Sequence, residues 1–376
     1  MKRPTGIPED HNLRKKSIAT INRVFRNSRA CLVCDRDMMD IDISSLKDDS
    51  VPTRSKLQLA ESILATVLLC DWNVRAWTIL EAVQGRHHIL FLCKWNEVIP
   101  LHETLETVMQ HGSIDIGILF FGAPHLLSMM PEEPFSLFDN QSPIEQTPQE
   151  KLLQQKFIPL EHAAELLQHR PASRHGDAFV IWRLLTDTTA FETPQDLWES
   201  RDGFSLATGF LISGAQRVQG FKGLSWAPID PIARKVRGLF HEQTEIYPMM
   251  DMQGTVEGKI TSNGFRASWK IFRFEMSFRG SQDSYSKGEG FIEELRRVVK
   301  VQFQCTQDTV ALLRPLAGIK QAEKTGAKKY HTKSLSPFVV VCEFCPEDDG
   351  WRWLGVRVWD SENLVPDFET EEILLV

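Results

Sequence analysis

The sequence Cys-Leu-Val-Cys-Asp, residues 31–35, gives the clearest indication of how the N-terminal region folds. Four apolar residues that end at a carboxylate are typical of a strand of a parallel sheet, buried on both faces. A second run of this kind, His-Ile-Leu-Phe-Leu-Cys, spans residues 88–93. We therefore expect these two runs to be neighbouring buried strands.

Three segments around these runs carry apolar side chains at helical spacing. The first covers residues 12–27, the second has its apolar stripe within 57–68, and the third runs from about 74 to 83. Such spacing places the apolar side chains on one face of a helix. The order helix, strand, helix, helix, strand predicts an α/β layer with parallel strand pairing.

The pattern of apolar and aromatic residues changes twice further along the chain. Residues 149–214 have an almost wholly helical pattern, whereas alternating and aromatic segments typical of strands follow from about residue 254. The sequence thus predicts three regions: an α/β region over 1–125, an α-helical region over 126–250 and a β-rich region over 251–376.

The composition is that of a globular protein. The 376 residues are 42% hydrophobic and 25% charged, and the formal net charge is -7. This charge offers no general attraction to nucleic acid, which is therefore not an expected partner. The polar residues after Met1 indicate no secretory signal peptide, and no stretch is long and apolar enough for a membrane span. We expect a cytoplasmic protein.

Most sequence motifs of metal and nucleotide sites are absent or incomplete in this chain. Two C-x2-C pairs end at Cys34 and Cys345, but about 300 residues separate them and both lie in strand-like sequence, so we expect buried thiols and no metal. The glycines at Gly254 and Gly258 resemble a phosphate-binding loop that is one residue short and lacks its hydroxyl residue. The chain contains no G-x-S-x-G sequence for a serine nucleophile.

The most informative motif is Asp-Trp-Asn-Val-Arg-Ala-Trp-Thr-Ile-Leu-Glu-Ala, residues 71–82. It resembles the pattern of fungal HET (heterokaryon incompatibility) domains, which is a tryptophan, a short gap and then R-x-W-T-x-Q-E. Leu80 stands where the family has glutamine. The residues that match the pattern are Trp72, Arg75, Trp77, Thr78 and Glu81.

Other parts of the chain extend this resemblance. The run that ends at Asp35 is similar to the family's "VLVLD" strand, and residues 170–177, 224–228 and 351–353 resemble extensions of longer HET proteins. The family's W-x-D-x-x-C-I-P strand corresponds here to residues 3–8, where Arg and Gly replace its Asp and Cys. The resemblance thus implies an N-terminally truncated member whose first region is an incomplete, TIR-like parallel sheet with helices.

Two interpretations of the motif stand side by side. On a helix that starts at Val74, the side chains of Trp77 and Leu80 share one face, so the tryptophans can fill the core while Arg75 pairs with an acid. Alternatively, Glu81 is catalytic. HET domains are distantly similar to TIR domains, whose W-C-x-x-E motif has the same spacing as Trp77 and Glu81. The glutamate of that motif is the catalytic residue of the NAD-cleaving TIR enzymes. A solvent-facing structural glutamate is the other reading of Glu81.

The resemblance implies a protein of nonself recognition that contacts partner proteins and triggers programmed cell death. The alternatives are an NAD glycohydrolase that uses Glu81, with NAD as a substrate and no cofactor, and an inactive truncated paralogue. The sequence leaves the partner, the trigger and the oligomeric state open.

Overall fold

The computed structural model describes residues 11–85, 89–112, 157–168, 170, 172, 174, 176–186, 192–232, 234–241, 243–248, 255–277, 287–316, 337–361 and 366–376. The chain divides into two compact units, residues 1–190 and 191–376. Residues 3–8, His88 and Gly254, which carried expectations above, lie outside the described residues. None of the described helices is long and apolar enough to cross a membrane.

The first unit combines short strands with helices, in agreement with the general α/β class. Its described elements are α1 (His11–Asn27), β1 (Cys31–Val33), α2 (Arg36–Met39), α3 (Ser44–Lys47), α4 (Thr53–Leu69), α5 (Asp71–Val74), α6 (Thr78–Gly85), β2 (Ile89–Leu92), β3 (Val98–Pro100), α7 (Leu101–His111), α8 (Leu160–Leu167) and α9 (Asp177–Thr186). The two amphipathic helices predicted over 12–27 and 57–68 are confirmed as α1 and α4.

The sheet of the first unit has the order β1-β2-β3. β1 and β2 pair in parallel, with Cys31 opposite Ile89, and this confirms the predicted neighbouring strands. β3 pairs with β2 antiparallel, because the two strands are joined by a tight hairpin. The expectation that residues 31–35 are buried on both faces is wrong, since Leu32 is 50% exposed. One face of β1 and β2 packs on the core, and Leu32 points to the other.

The core of this unit lies between that buried face and the helices. Val33 and Phe91 from the strands pack with Ile63 and Leu64 of α4 and with Leu105 of α7. Because α4 has Ala60, Leu64 and Val67 on one stripe, the periodicity of its sequence is enough to orient it.

The second unit is built on a seven-stranded sheet. The α-helices and strands of this unit are α10 (Pro194–Glu199), β4 (Ser205–Ala207), β5 (Val236–Arg237), β6 (Glu245–Ile246), β7 (Glu257–Thr261), β8 (Gly264–Glu275), α11 (Lys287–Phe303), β9 (Thr309–Pro315), β10 (Phe338–Cys345), β11 (Gly350–Val358) and β12 (Glu369–Leu375). The strand order of the sheet is β12-β11-β10-β9-β8-β7-β4, and β12 pairs with β8 as well. Apolar side chains of α11, including Leu295 and Val299, pack on β9 and β10.

The boundaries of the three predicted regions differ from this division. The described part of 251–376 consists mainly of the strands β7 to β12 with one helix, α11, whereas the described part of 126–250 is α-helical only as far as Glu199. Ser205–Ala207 forms a strand that pairs with β7, so it belongs to the C-terminal sheet. Gly203, at φ 80°, takes a left-handed conformation in the turn between α10 and β4.

Candidate functional site

The HET-like motif lies on two short helices and not on the single helix predicted from Val74. Arg75 is extended, at φ -80° and ψ 142°, and it separates α5 from α6. The hydroxyl of Thr78 lies within hydrogen-bonding distance of the carbonyl oxygens of Trp72 and Arg75 (2.7 Å to the latter), so its single proton is shared between them. Since these carbonyls are satisfied outside a helical ladder, the chain can break there. Trp77 therefore precedes α6, and the predicted shared face with Leu80 does not form.

Asp35 connects the end of β1 to this motif. Its side chain is buried, and Oδ2 accepts a hydrogen bond from the backbone N–H of Trp72 at 3.0 Å. The other carboxylate oxygen accepts from the N–H of Asp37, also at 3.0 Å, and so caps α2. The carboxylate of Asp35, just after β1, thus holds the backbone of Trp72 in place.

Trp72 fills the core beneath the sheet, as the structural interpretation proposed. It is buried, and its ring packs edge-on against Phe91 with 5.2 Å between the centroids. Its indole Nε1–H donates to Oε2 of Glu81 at 2.8 Å. The polar edge of this core tryptophan therefore orients the candidate catalytic carboxylate.

Glu81 is partly buried and is not a freely solvated surface glutamate. Burial raises the pKa of its carboxyl group, while the hydrogen bond from Trp72 and the charge of Arg75 act in the opposite direction. The adjacent thiol of Cys31 is itself affected, because burial and the charge of Glu81 raise its pKa to about 11. Cys31 therefore stays protonated at neutral pH and is a poor nucleophile.

Trp77 extends the network toward the end of the first unit. Its Nε1–H donates to Oδ2 of Asp177, the first residue of α9, at 2.8 Å. Arg75, in contrast, is exposed, and its contribution to the site is its charge near Glu81. Five of the six residues singled out from the sequence are thus linked by hydrogen bonds or charge, namely Asp35, Trp72, Arg75, Thr78 and Glu81, whereas the side chain of Trp77 bonds to Asp177 instead.

The structure adds residues that the motif does not contain. Arg170 is buried, donates to the carbonyl oxygens of Leu166 (2.9 Å) and Asn73, and burial lowers its pKa to about 10. Both Arg170 and Asp177 come from the stretch 170–177, which resembles a HET extension. That resemblance drew attention to the stretch, but no local pattern indicates that it lies against residues about 100 positions earlier.

The chemistry available here is that of one oriented carboxylate beside a cation. Such a carboxylate can stabilise positive charge that develops on a bound group. Within the described residues, no group of three or more His, Cys, Asp or Glu side chains could hold a metal ion.

Comparisons of the chain with protein-family models, with curated proteins and with solved structures found no match. The similarity to HET domains therefore rests on the motif itself and on the neighbouring stretches that resemble parts of longer members. The arrangement of these residues in space is the observation that any functional proposal has to use.

Proposed function

We propose that this chain is a HET-domain protein of fungal incompatibility, which signals nonself recognition through contacts with a partner protein and thereby triggers cell death. The observation that supports this proposal is the network around Trp72. These hydrogen bonds and charges connect four of the residues that match the HET pattern, Trp72, Arg75, Thr78 and Glu81, with Asp35 from the "VLVLD"-like strand.

A chance match of scattered residues has no reason to converge in this way. Asp35 lies 37 positions before Trp72, and Asp177 lies 100 positions after Trp77, yet both carboxylates accept hydrogen bonds from the motif. A buried polar network is costly unless its members are satisfied, so its presence favours a selected arrangement over incidental packing.

The same region supports a TIR-like arrangement as the finer fold assignment. The parallel pair β1 and β2 is connected through α4, α5 and α6, which is the crossover that a parallel sheet requires. In this proposal the protein acts in the cytoplasm, and the first unit carries the signalling activity.

Induced expression of the full chain in a filamentous fungus tests the proposal. We expect cell death, measured by uptake of a membrane-impermeant dye, and we expect Trp72→Ala to abolish it because the network loses its centre. Trp95→Ala is the matched control, since Trp95 is 72% exposed and lies outside the network. Survival of cells that accumulate folded wild-type protein would contradict the proposal, as would equal effects of the two variants.

A second candidate function is NAD glycohydrolysis by Glu81. The observation that favours it is the partly buried, oriented carboxylate of Glu81 beside the cationic Arg75. Cleavage of the nicotinamide glycosidic bond develops oxocarbenium character on the ribose, and a carboxylate next to the ring stabilises that charge. The glycosidic bond breaks with its electron pair remaining on nicotinamide, which leaves as a neutral molecule, and water then adds to the ribose carbon and releases a proton.

This second function is tested by incubating purified full-length protein with NAD and following the release of nicotinamide. Glu81→Gln removes the negative charge but keeps an oxygen that can accept from Trp72. Glu103→Gln, an exposed change on α7, is the matched control. Release that is lost in Glu81→Gln and kept in Glu103→Gln supports catalysis, whereas no release by wild-type protein excludes it. Absence of both NAD cleavage and cell death leaves the inactive paralogue.

A further inference from the structure

The second unit contains a large cavity that the proposed function does not use. It has a volume of about 1430 Å³ and runs along β11. Its walls come from residues 213–223, from β5, from residues 345–348 and from residues 352–357 of β11. These segments are far apart in sequence, so the cavity exists only in the folded unit.

Positive charge dominates the lining of this cavity. Two carboxylates contribute to it, Glu347 and Asp348. The cationic side chains are six: Arg217, Lys222, Lys235, Arg237, Arg352 and Arg357. Some of these cations have acidic partners, for Glu245 binds Lys235 and Arg237, and Glu343 binds Arg352. Even when Glu245 and Glu343 are counted with the lining, cations exceed carboxylates.

Arg217 is the most unusual member of this lining. Its guanidinium group stacks on the ring of Trp353 at 4.8 Å, and its hydrogen bonds go to neutral oxygens of Leu211, Ser213 and Ala215. Its Nε is buried and has no hydrogen-bond partner. Burial is also the main reason that the pKa of Arg217 is lowered, to about 9, although Asp230 acts in the opposite direction. Arg217 thus holds a positive charge that is poorly compensated by its surroundings.

Two cations in the lining are free to turn toward a ligand. The side chain of Lys222 is 77% exposed and pairs with Asp348 at 2.6 Å, and that of Arg237 is 62% exposed and pairs with Glu245 at 3.6 Å. Exposed ion pairs of this kind contribute little to stability and exchange readily. A multiply charged anion can therefore recruit both side chains at small cost.

We propose that this cavity binds a small phosphorylated compound, with the exposed Lys222 and Arg237 as the direct contacts and the fixed positive charge of Arg217 beside them as a long-range attraction. A guanidinium group matches the geometry of phosphate oxygens, and several cations around one cavity favour a ligand with more than one negative charge. The shared recognition element is a phosphate chain, which can belong to a free polyphosphate or to a nucleotide. This binding is independent of the motif in the first unit.

Calorimetric titration of the full chain tests the proposal with three probes: pyrophosphate, adenosine triphosphate and, as a carboxylate control, acetate. We expect pyrophosphate to bind and acetate not to bind, with an affinity that falls as salt is raised. Equal affinity for the two phosphate probes identifies a polyphosphate site, and tighter binding of adenosine triphosphate identifies a nucleotide site. Either outcome supports the proposal.

Substitutions of residues that line the cavity test whether pyrophosphate binds there. Arg217→Gln should weaken pyrophosphate binding by about tenfold, since a positive charge beside the cavity is lost. If Arg217→Gln does not fold, as judged by circular dichroism, the exposed pair Lys222→Gln and Arg237→Gln should give a loss of similar size. Lys259→Gln, an exposed change outside the lining, should leave the affinity unchanged. No binding of either phosphate probe, or equal affinities in all variants, would overturn the proposal.

Discussion

The hydrogen bond from the indole of Trp72 to the side-chain oxygen of Glu81 is the contact on which both proposed functions depend. A core tryptophan with its N–H directed at a partly buried glutamate fixes the position of that glutamate. In a signalling protein this contact keeps the surface around the motif in one conformation. In an NAD glycohydrolase it would aim the carboxylate at the ribose.

The strength of this contact is tested by Trp72→Phe. Phenylalanine keeps the edge-on packing against Phe91 but cannot donate to Glu81. We expect a loss of about 1 to 3 kcal/mol in the free energy of unfolding, measured by chemical denaturation, because a buried charged acceptor loses its donor. Trp95→Phe should cost less than about 0.5 kcal/mol, as it changes an exposed side chain. Equal costs would contradict the importance of the bond.

Protonation of Glu81 gives a second prediction at this scale. Its pKa is raised in the folded protein, so the folded state binds more protons than the unfolded state between the ordinary and the raised pKa. Glu81 therefore lowers the stability progressively as pH rises through that interval. The Glu81→Gln variant lacks this titration.

We expect the stability of Glu81→Gln relative to wild-type protein to increase between about pH 4 and about pH 7. Urea denaturation at both values measures this difference, and Glu103→Gln provides the control for a solvated carboxyl group. A difference that stays constant with pH would show that Glu81 titrates as an ordinary glutamate.

At the scale of elements, the connection between α5 and α6 determines the geometry of the motif. Thr78→Val has nearly the shape of threonine but leaves the carbonyls of Trp72 and Arg75 without their hydroxyl donor. We expect it to cost about 1 to 3 kcal/mol. Thr78→Ser keeps the donor and should retain most of the stability in the same denaturation experiment. A cost no greater for valine than for serine would show that these bonds are not needed.

The elements also mark the limit of what the sequence could predict. The runs at Cys31 and Ile89, and the stripe of α4, are local patterns, and they were found because hydrophobic periodicity needs no knowledge of distant residues. The break at Arg75 depends on two carbonyls that one hydroxyl satisfies, and helical spacing continues through it. For the same reason Trp72 and Glu81 could both be named from the motif, whereas the hydrogen bond between them and the approach of Asp177 could not be predicted.

For the whole molecule, each compact unit brings together residues that are distant in sequence. In the first unit the side chain of Asn22 donates a hydrogen bond to the carbonyl oxygen of Leu184. Trp182 is fully buried, and its indole N–H donates to the carbonyl oxygen of Leu160. The cavity of the second unit gathers cations from Arg217 to Arg357 in a chain whose net charge is -7. Neither arrangement leaves a local signal, so composition alone pointed away from an anion site.

Limited proteolysis tests the extent of the first unit. A fragment of residues 1–190 includes α8 and α9, which supply Asp177 to the motif and bury Trp182. We expect this fragment to resist trypsin, while residues 1–125 alone are cleaved or aggregate. The loss of a few hundred Å² of buried apolar surface costs several kcal/mol at about 25 cal/mol per Å², which is comparable to the whole stability of a domain. Equal resistance of the two fragments would contradict this.

In the function proposed above, the Trp72 network serves cell death signalling through protein contacts. The most direct test is Glu81→Gln, induced in fungal cells in which dye uptake and cellular NAD are followed together. Glutamine still offers an oxygen to the indole of Trp72, so we predict death equal to that of wild-type protein with NAD unchanged until membranes fail. If Glu81→Gln does not kill and only wild-type protein depletes NAD early, signalling through protein contacts alone would be contradicted. Glu81 would then be established as a catalytic residue.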